Sequence, residues 1–119
     1  MKQIELTEMV LEMRDKDSIS DAEAEACAKV WYNRCHLVVK EEIKNGQIKI
    51  VKKWKKGYSN QNFVTEEGWK LGQKAAKRIE KKYGKKNLII HSDFDWGMLN
   101  GRLETLRWIM GEDWGILDT

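Results

Sequence analysis

The chain contains no proline. Proline stops a helix by removing an amide donor and clashing with the preceding turn. Without it, helix ends must be set by glycine, asparagine and small polar caps. Nine glycines are available among 119 residues. Such a chain is free to run long helices, and its apolar spacing fits that. The expected class is mainly α, with α+β as the alternative, in a small helical domain covering residues 1–119.

Residues 2–6 read as a short strand or as disordered chain. Met9, Val10 and Met13 have helical spacing, which predicts a short helix over 7–14. Asp15-Lys16-Asp17-Ser18 reads as a turn. Ser20-Asp21-Ala22-Glu23 then fits a capping box. It predicts a long helix whose buried face is Ala24, Cys27, Ala28, Trp31, Cys35, Val38 and Val39, stopped by Asn45-Gly46.

Ile48, Ile50 and Trp54 alternate with Lys49, Lys53 and Lys55, which predicts a strand over 47–56. Gly57-Tyr58-Ser59-Asn60 signals a turn. Residues 62–64 would pair back, making a short β-hairpin near 47–64. Thr65 is a cap followed by Glu66 and Glu67, and the helix it opens should run to Tyr83 and stop at Gly84. Leu88-Ile89-Ile90 should be buried. Ser92-Asp93-Phe94-Asp95 opens a last helix carrying Trp96, Leu99, Leu103, Leu106 and Met110. Gly111 should end it and let Trp114, Ile116 and Leu117 fold back on the core.

Gly68, Gly72, Ala75, Ala76 and Ile79 line one face of the third helix, and Gly97 and Gly101 lie on the fourth. Interior helix glycine costs about 1 kcal/mol relative to alanine. Close approach of these two helices would account for it, and a ligand or partner against the glycines is the alternative.

Charge is unevenly placed. Residues 40–86 hold fifteen bases and five acids, a net of +10, while residues 1–39 carry −3 and residues 87–119 carry −4. Lys52-Lys53-Trp54-Lys55-Lys56-Gly57-Tyr58 interleaves bases with aromatics. Lys70, Lys74, Lys77 and Lys81 form a ladder on the third helix, joined by Arg78, Lys82, Lys85 and Lys86. A cationic surface with stacking aromatics suits a nucleic-acid backbone. Lysine supplies nearly all of this charge, whereas base reading favours Arg, Asn and Gln. Any nucleic-acid binding should therefore be non-specific. The plain alternative is a solvated lysine face.

Other candidates are weaker. His91, Asp93 and Asp95 place an imidazole and two carboxylates close together at a helix start, where acids are favourable in any case. Cys27, Cys35 and His36 have no zinc-ligand spacing. At two helical turns, roughly 12 Å, the cysteines are too far apart for a disulfide. They read as core residues, and His36 as a surface or capping residue. Asn100, Glu104 and Arg107 form a polar stripe, with Glu104 and Arg107 spaced for a local pair. No phosphate loop, dinucleotide fingerprint, nucleophile elbow or zinc-protease motif occurs. No catalytic residue, metal or cofactor is therefore expected.

The stretch from Asp93 to Thr119 resembles the ending of small uncharacterised proteins of bacteria and their phages, which read D-F-E-W-G-M-x-N-G-K-L-x-x-L-R-W-x-x-G-D-E-W-x-x-L-D-T. It covers about the last quarter of the chain. Arg102 stands where a lysine is usual, and Gly115 where an acid is. The resemblance implies a bacterial or phage setting and a helix-plus-tail in which Trp96, Trp108 and Trp114 form one packing unit. It carries over no catalytic residue.

The expected function is a small non-enzymatic binding protein acting on a macromolecular partner, protein or nucleic acid, through the basic middle. An inhibitor of a host defence system suits this size and charge. A non-specific nucleic-acid binder is the first alternative. A small-ligand binder or hydrolase built on His91, Asp93, Asp95 and the Asn100 stripe is the second. The opening residues lack a signal peptide's apolar run, and no membrane-length segment occurs. The expected location is cytoplasmic. Acidic ends of one copy could meet the basic middle of another in a homo-oligomer.

Overall fold

The computed structural model of the chain describes residues 12–115. Among them, α1 (Lys16–Trp31), a π-helical segment (Tyr32–His36) and α2 (Leu37–Lys44) come first. The strands β1 (Lys49–Val51) and β2 (Phe63–Thr65) follow, then α3 (Glu66–Tyr83), α4 (Lys85–Leu88) and α5 (Asp93–Ile109). The fold is mainly α with one small sheet. The expectations for residues 2–6, for the first part of the 7–14 helix, and for Ile116 and Leu117 lie outside the described residues. Residues 12–15 are not helical.

α1 begins where a turn was expected. The Asp15 carboxylate accepts the Ser18 amide at 2.7 Å, so Asp15 is the cap and Ser20 lies inside the helix. Hydrogen bonds from the Ser18 amide and hydroxyl hold the Asp15 carboxyl below its usual range. An acid here also meets the positive end of the helix.

From Lys16 to Lys44 the backbone stays helical, a spine of roughly 44 Å at 1.5 Å per residue. Inside it, the Leu37 amide bonds to the Tyr32 carbonyl, five residues back. That π turn changes which face is buried. Before it, Ala26 and Val30 point inward; within it, Tyr32 and His36 do. At 100° per residue the two pairs lie roughly 120° apart around the axis. The single buried face expected from three- and four-residue steps is therefore replaced by two. Val38 is 44% exposed, Ala24 and Cys35 are exposed, and Cys27 and Trp31 are half-buried. Asn45 caps the C-terminus and Gly46 follows at φ 86°, a conformation costly for any residue with a Cβ.

Each face makes its own core. Ala26 and Val30 join Leu99 and Leu103 of α5, with Cys27, Ile90, Trp96 and Leu106 packed around them. Tyr32 joins Ala76 of α3 and Leu88 of α4, with Trp31, Leu37, Ile79 and Tyr83 at the edge. Leu88 is fully buried, while Ile89 is exposed and Ile90 half-buried. The Asn33 side chain donates to the Leu88 carbonyl at 2.6 Å and to the Lys29 carbonyl at 2.8 Å, which ties α4 to the spine.

The sheet departs from the expected hairpin. β1 and β2 are parallel, pairing Lys49 with Phe63, Ile50 with Val64 and Val51 with Thr65. The connecting loop is long enough to return the chain to the start of β1, and the Lys49 amide meets the Asn62 carbonyl at 2.9 Å. Parallel pairing requires such a return, whereas a hairpin needs only a tight turn. β1 stops at Val51, before the lysine run, so the strand is much shorter than the expected 47–56. Ile48 is buried, but Ile50 and Trp54 are 42% and 45% exposed.

α3 and α5 have the expected caps. Thr65 accepts the Gly68 amide at 3.0 Å and Ser92 accepts the Asp95 amide at 3.1 Å. Gly84, at φ 84°, ends α3. Among the described residues the expected glycine-lined packing of α3 on α5 does not form a principal contact: α5 packs on α1, and α3 on the π segment, the sheet and α4. A Cβ built at Gly72, Gly97 or Gly101 would meet nothing within 4 Å. Trp96 belongs to the α1–α5 core, while Trp108 and Trp114 stack on each other at 5.2 Å. Twelve helical residues, roughly 18 Å, separate Trp96 from Trp108, so the three cannot form one cluster.

Open space at interior glycines has a direct consequence. Gly72→Ala, Gly97→Ala and Gly101→Ala should each raise stability by about 0.5–1 kcal/mol, read from the urea midpoint. Leu103→Ala, at a site 1% exposed, should lower it by about 2–5 kcal/mol.

Candidate functional site

The basic middle splits into a loop and a helix face. Lys52, Lys53, Trp54, Lys55 and Lys56 are exposed on the loop between β1 and β2, and Tyr58 is half-buried. Two turns shape that loop: the Tyr58 amide bonds to the Lys55 carbonyl, and the Asn62 amide to the Ser59 carbonyl. They bring three aromatic rings together. Tyr58 stacks on Phe63 with centroids 4.0 Å apart, and Trp54 meets Tyr58 edge-on at 5.5 Å. The exposed Trp54 thus stands on an ordered aromatic base beside four lysines.

On α3, Lys70, Lys74, Lys77 and Lys81 are all exposed. Three- and four-residue spacing puts them in one stripe with neighbouring rungs ~5–6 Å apart. Arg78 is exposed on an adjoining flank. Among the described residues none of these five cations has an ion-pair partner within 4.0 Å. The ion pairs present lie elsewhere: Lys29 with Glu25 at 3.1 Å, and Arg107 with Glu23 at 3.4 Å and Glu112 at 3.9 Å. In the acidic ends Lys29 and Arg107 are paired, whereas this stripe on the basic middle is not.

A third feature lies where the spine meets α3. His36 is 8% exposed and its Nδ1 has no hydrogen-bond partner. An orphaned buried polar atom costs about 1–3 kcal/mol. The ring is held between two indoles, Trp31 at 5.7 Å and Trp69 at 5.6 Å, both nearly parallel to it, with Tyr32 tilted at 5.4 Å. Trp31 and His36 are five residues apart, the repeat that a π turn superimposes. Burial, and then the Lys40 ammonium, lower the His36 pKa, and Glu80 opposes them in part. The Tyr32 hydroxyl donates to Glu80. Burial and that carboxylate push the Tyr32 pKa up to about 12. His36, Lys40, Gln73, Lys77, Glu80 and Lys85 line a cavity of ≈ 130 Å³ beside the ring.

His36 is expected at the surface or as a cap, and the structure buries it instead. Its signal was the aromatic density of Trp31-Tyr32 and His36 at a spacing that only a π turn makes coherent. The expected polar stripe is turned inward. Asn100 donates to the Trp96 carbonyl at 2.8 Å. Glu104 accepts the Gly115 amide, and Arg107 reaches Glu23 and the Cys27 sulfur. The local Glu104–Arg107 pair thus gives way to longer-range partners that fold residues 110–115 back. His91, Asp93 and Asp95 are exposed. His91 and Asp93 border a groove of ≈ 330 Å³ with Asn33, Ile90, Ser92 and Trp96. Among the described residues no three His, Cys, Asp or Glu side chains converge as metal ligands would, and both cysteines are free thiols. No described helix is long and apolar enough to cross a membrane. Comparison with known protein families, curated proteins and solved structures finds no match.

The buried ring makes stability pH-dependent with a definite sign. A lowered folded pKa means the contribution is present above the ordinary value of 6.5 and is lost as pH falls through the folded value. Urea midpoints on either side of pH 6.5 should therefore drop on the acid side, and His36→Phe should flatten that drop. Tyr32→Phe removes a hydrogen bond to a carboxylate and should cost about 1.5–3 kcal/mol near neutral pH.

Proposed function

We propose that this chain is a small non-enzymatic binding protein that takes the backbone of a single-stranded nucleic acid on its basic middle. The observation that carries the reading is the unpaired stripe Lys70, Lys74, Lys77 and Lys81. Like charges at helical spacing repel by about 0.2–0.5 kcal/mol per pair. Among the described residues no carboxylate lies within 4.0 Å of these ammonium groups, which leaves salt or a polyanion to supply close counter-charge. The loop adds Lys52, Lys53, Lys55 and Lys56 around Trp54, whose exposed ring offers a face to an unpaired base. Point charges on flexible stems favour backbone contact over base reading, so recognition should be largely independent of sequence.

A second reading is a protein partner in a bacterial or phage setting, including the inhibition of a host defence protein. What favours it is the apolar surface of α5 and its tail. Phe94 is 74% exposed, Met98 51%, Trp108 50% and Trp114 57%.

Salt separates the two. Binding of labelled single-stranded DNA and RNA, followed by tryptophan quenching, should weaken with a slope of about −0.7 per phosphate engaged, or about −3 for four contacts. Lys74→Glu and Lys55→Glu should each weaken it and flatten the slope. No quenching at low salt would overturn the nucleic-acid reading in favour of a protein partner.

A further inference from the structure

We propose that the cavity between the π segment and α3 is a binding site for a phosphate monoester, held by Lys40, Lys77 and Lys85 around the edge of His36. Four elements build it: the π segment gives His36, α2 Lys40, α3 Gln73, Lys77 and Glu80, and α4 Lys85. Lys40, Lys77 and Lys85 are exposed and have no ion-pair partner within 4.0 Å among the described residues. As lining residues they bring three positive charges to one small cavity. Glu80 brings one negative charge, and that carboxylate already accepts the Tyr32 hydroxyl. The balance of two positive charges matches a phosphate monoester, which carries about −1.5 to −2 at neutral pH. A phosphodiester, with a single charge, would leave the site unneutralised.

The ring is the second, independent observation. His36 is more than nine-tenths buried and lines the cavity, and its Nδ1 is unpartnered and closed to solvent, so the ring senses a bound anion through the local field. A histidine fixed between two indoles by a π turn has been placed at structural cost, and such turns recur at functional sites. The groups facing it are Lys40 from α2, Glu80 and Lys77 from α3, Lys85 from α4, and Tyr32 on its own segment. Lys40 and burial hold the imidazole neutral, against Glu80. A dianion seated among the lysines cancels the positive field that disfavours a proton on the ring and so favours the imidazolium. Gln73 adds an uncharged amide that can donate to a phosphate oxygen. The site does not depend on the nucleic-acid reading: of its three lysines only Lys77 belongs to the α3 ladder.

The chain has two histidines, and His91 is exposed, so imidazole NMR of the full chain gives one signal to follow and one internal reference. Inorganic phosphate should shift the His36 signals to saturation and raise its apparent pKa, while chloride at the same ionic strength should do neither. Lys40→Gln and Lys85→Gln, both at exposed positions, should each weaken the phosphate response about tenfold, the loss of one charge-assisted hydrogen bond. Two strands of the same sequence, one with a 5′-phosphate and one with a 5′-hydroxyl, identify the source. Tighter binding of the phosphorylated strand, lost in Lys85→Gln, assigns the site to a strand terminus. Equal binding of the two, with the phosphate response intact, assigns it to a free phosphate or small phosphate ester. His36 signals that respond equally to phosphate and chloride, or a response unchanged in both lysine variants, would overturn the site. The nucleic-acid reading is judged separately, by Lys74→Glu at constant phosphate.

Discussion

The hydrogen bond from the Leu37 amide to the Tyr32 carbonyl sets the arrangement of everything around the spine. A continuous α-helix would carry one apolar stripe and could serve one layer of partners. The five-residue turn lets the same helix bury Ala26 and Val30 against α5, then Tyr32 and His36 against α3. The positions of α3, of the sheet that leads into it, and of the lysine stripe all follow from where Tyr32 points. The Tyr32 hydroxyl bond to Glu80 then fixes α3 along the spine.

Helix boundaries were mostly legible because their chemistry is local. Thr65, Ser92, Gly84 and Asn45-Gly46 each act within one turn, and each terminus falls where its capping residue predicts. The start of α1 was misplaced because Asp15 and Ser20 both precede plausible helical stretches. Only the continuation upstream, with Asp17 in the first turn, decides between them. The buried face of the spine was not legible. Periodicity arguments assume 3.6 residues per turn throughout, and the π turn breaks that assumption between Trp31 and Leu37. Parallel pairing in the sheet was hidden for a related reason: alternation reports which residues lie on one side, not the direction of the partner strand.

The basic candidates were legible as a set because charge on an exposed helix face needs no partner to be placed correctly. Lys70, Lys74, Lys77 and Lys81 share a stripe by helical geometry alone. That Lys40 and Lys85 share one cavity was not legible, because they are distant in sequence and meet only across the junction of α2, α3 and α4. The small-residue stripe misled for the opposite reason. Interior glycine signals that something is unusual, but not what, and here α3 and α5 are held by different faces of the spine.

Two cores strung along one helix also bear on how the molecule comes apart. The α1–α5 cluster and the Tyr32–Ala76–Leu88 cluster share no buried side chain. Between them run the spine backbone, the short link over residues 89–92 from α4 to α5, and the Asn33 side chain, which donates to the Lys29 and Leu88 carbonyls. Cooperativity depends on contacts that cross between units. The half built on α5 can therefore open while the half carrying the lysine stripe stays assembled. Amide exchange would then proceed in two stages, with Asn33 as the hinge pin between them.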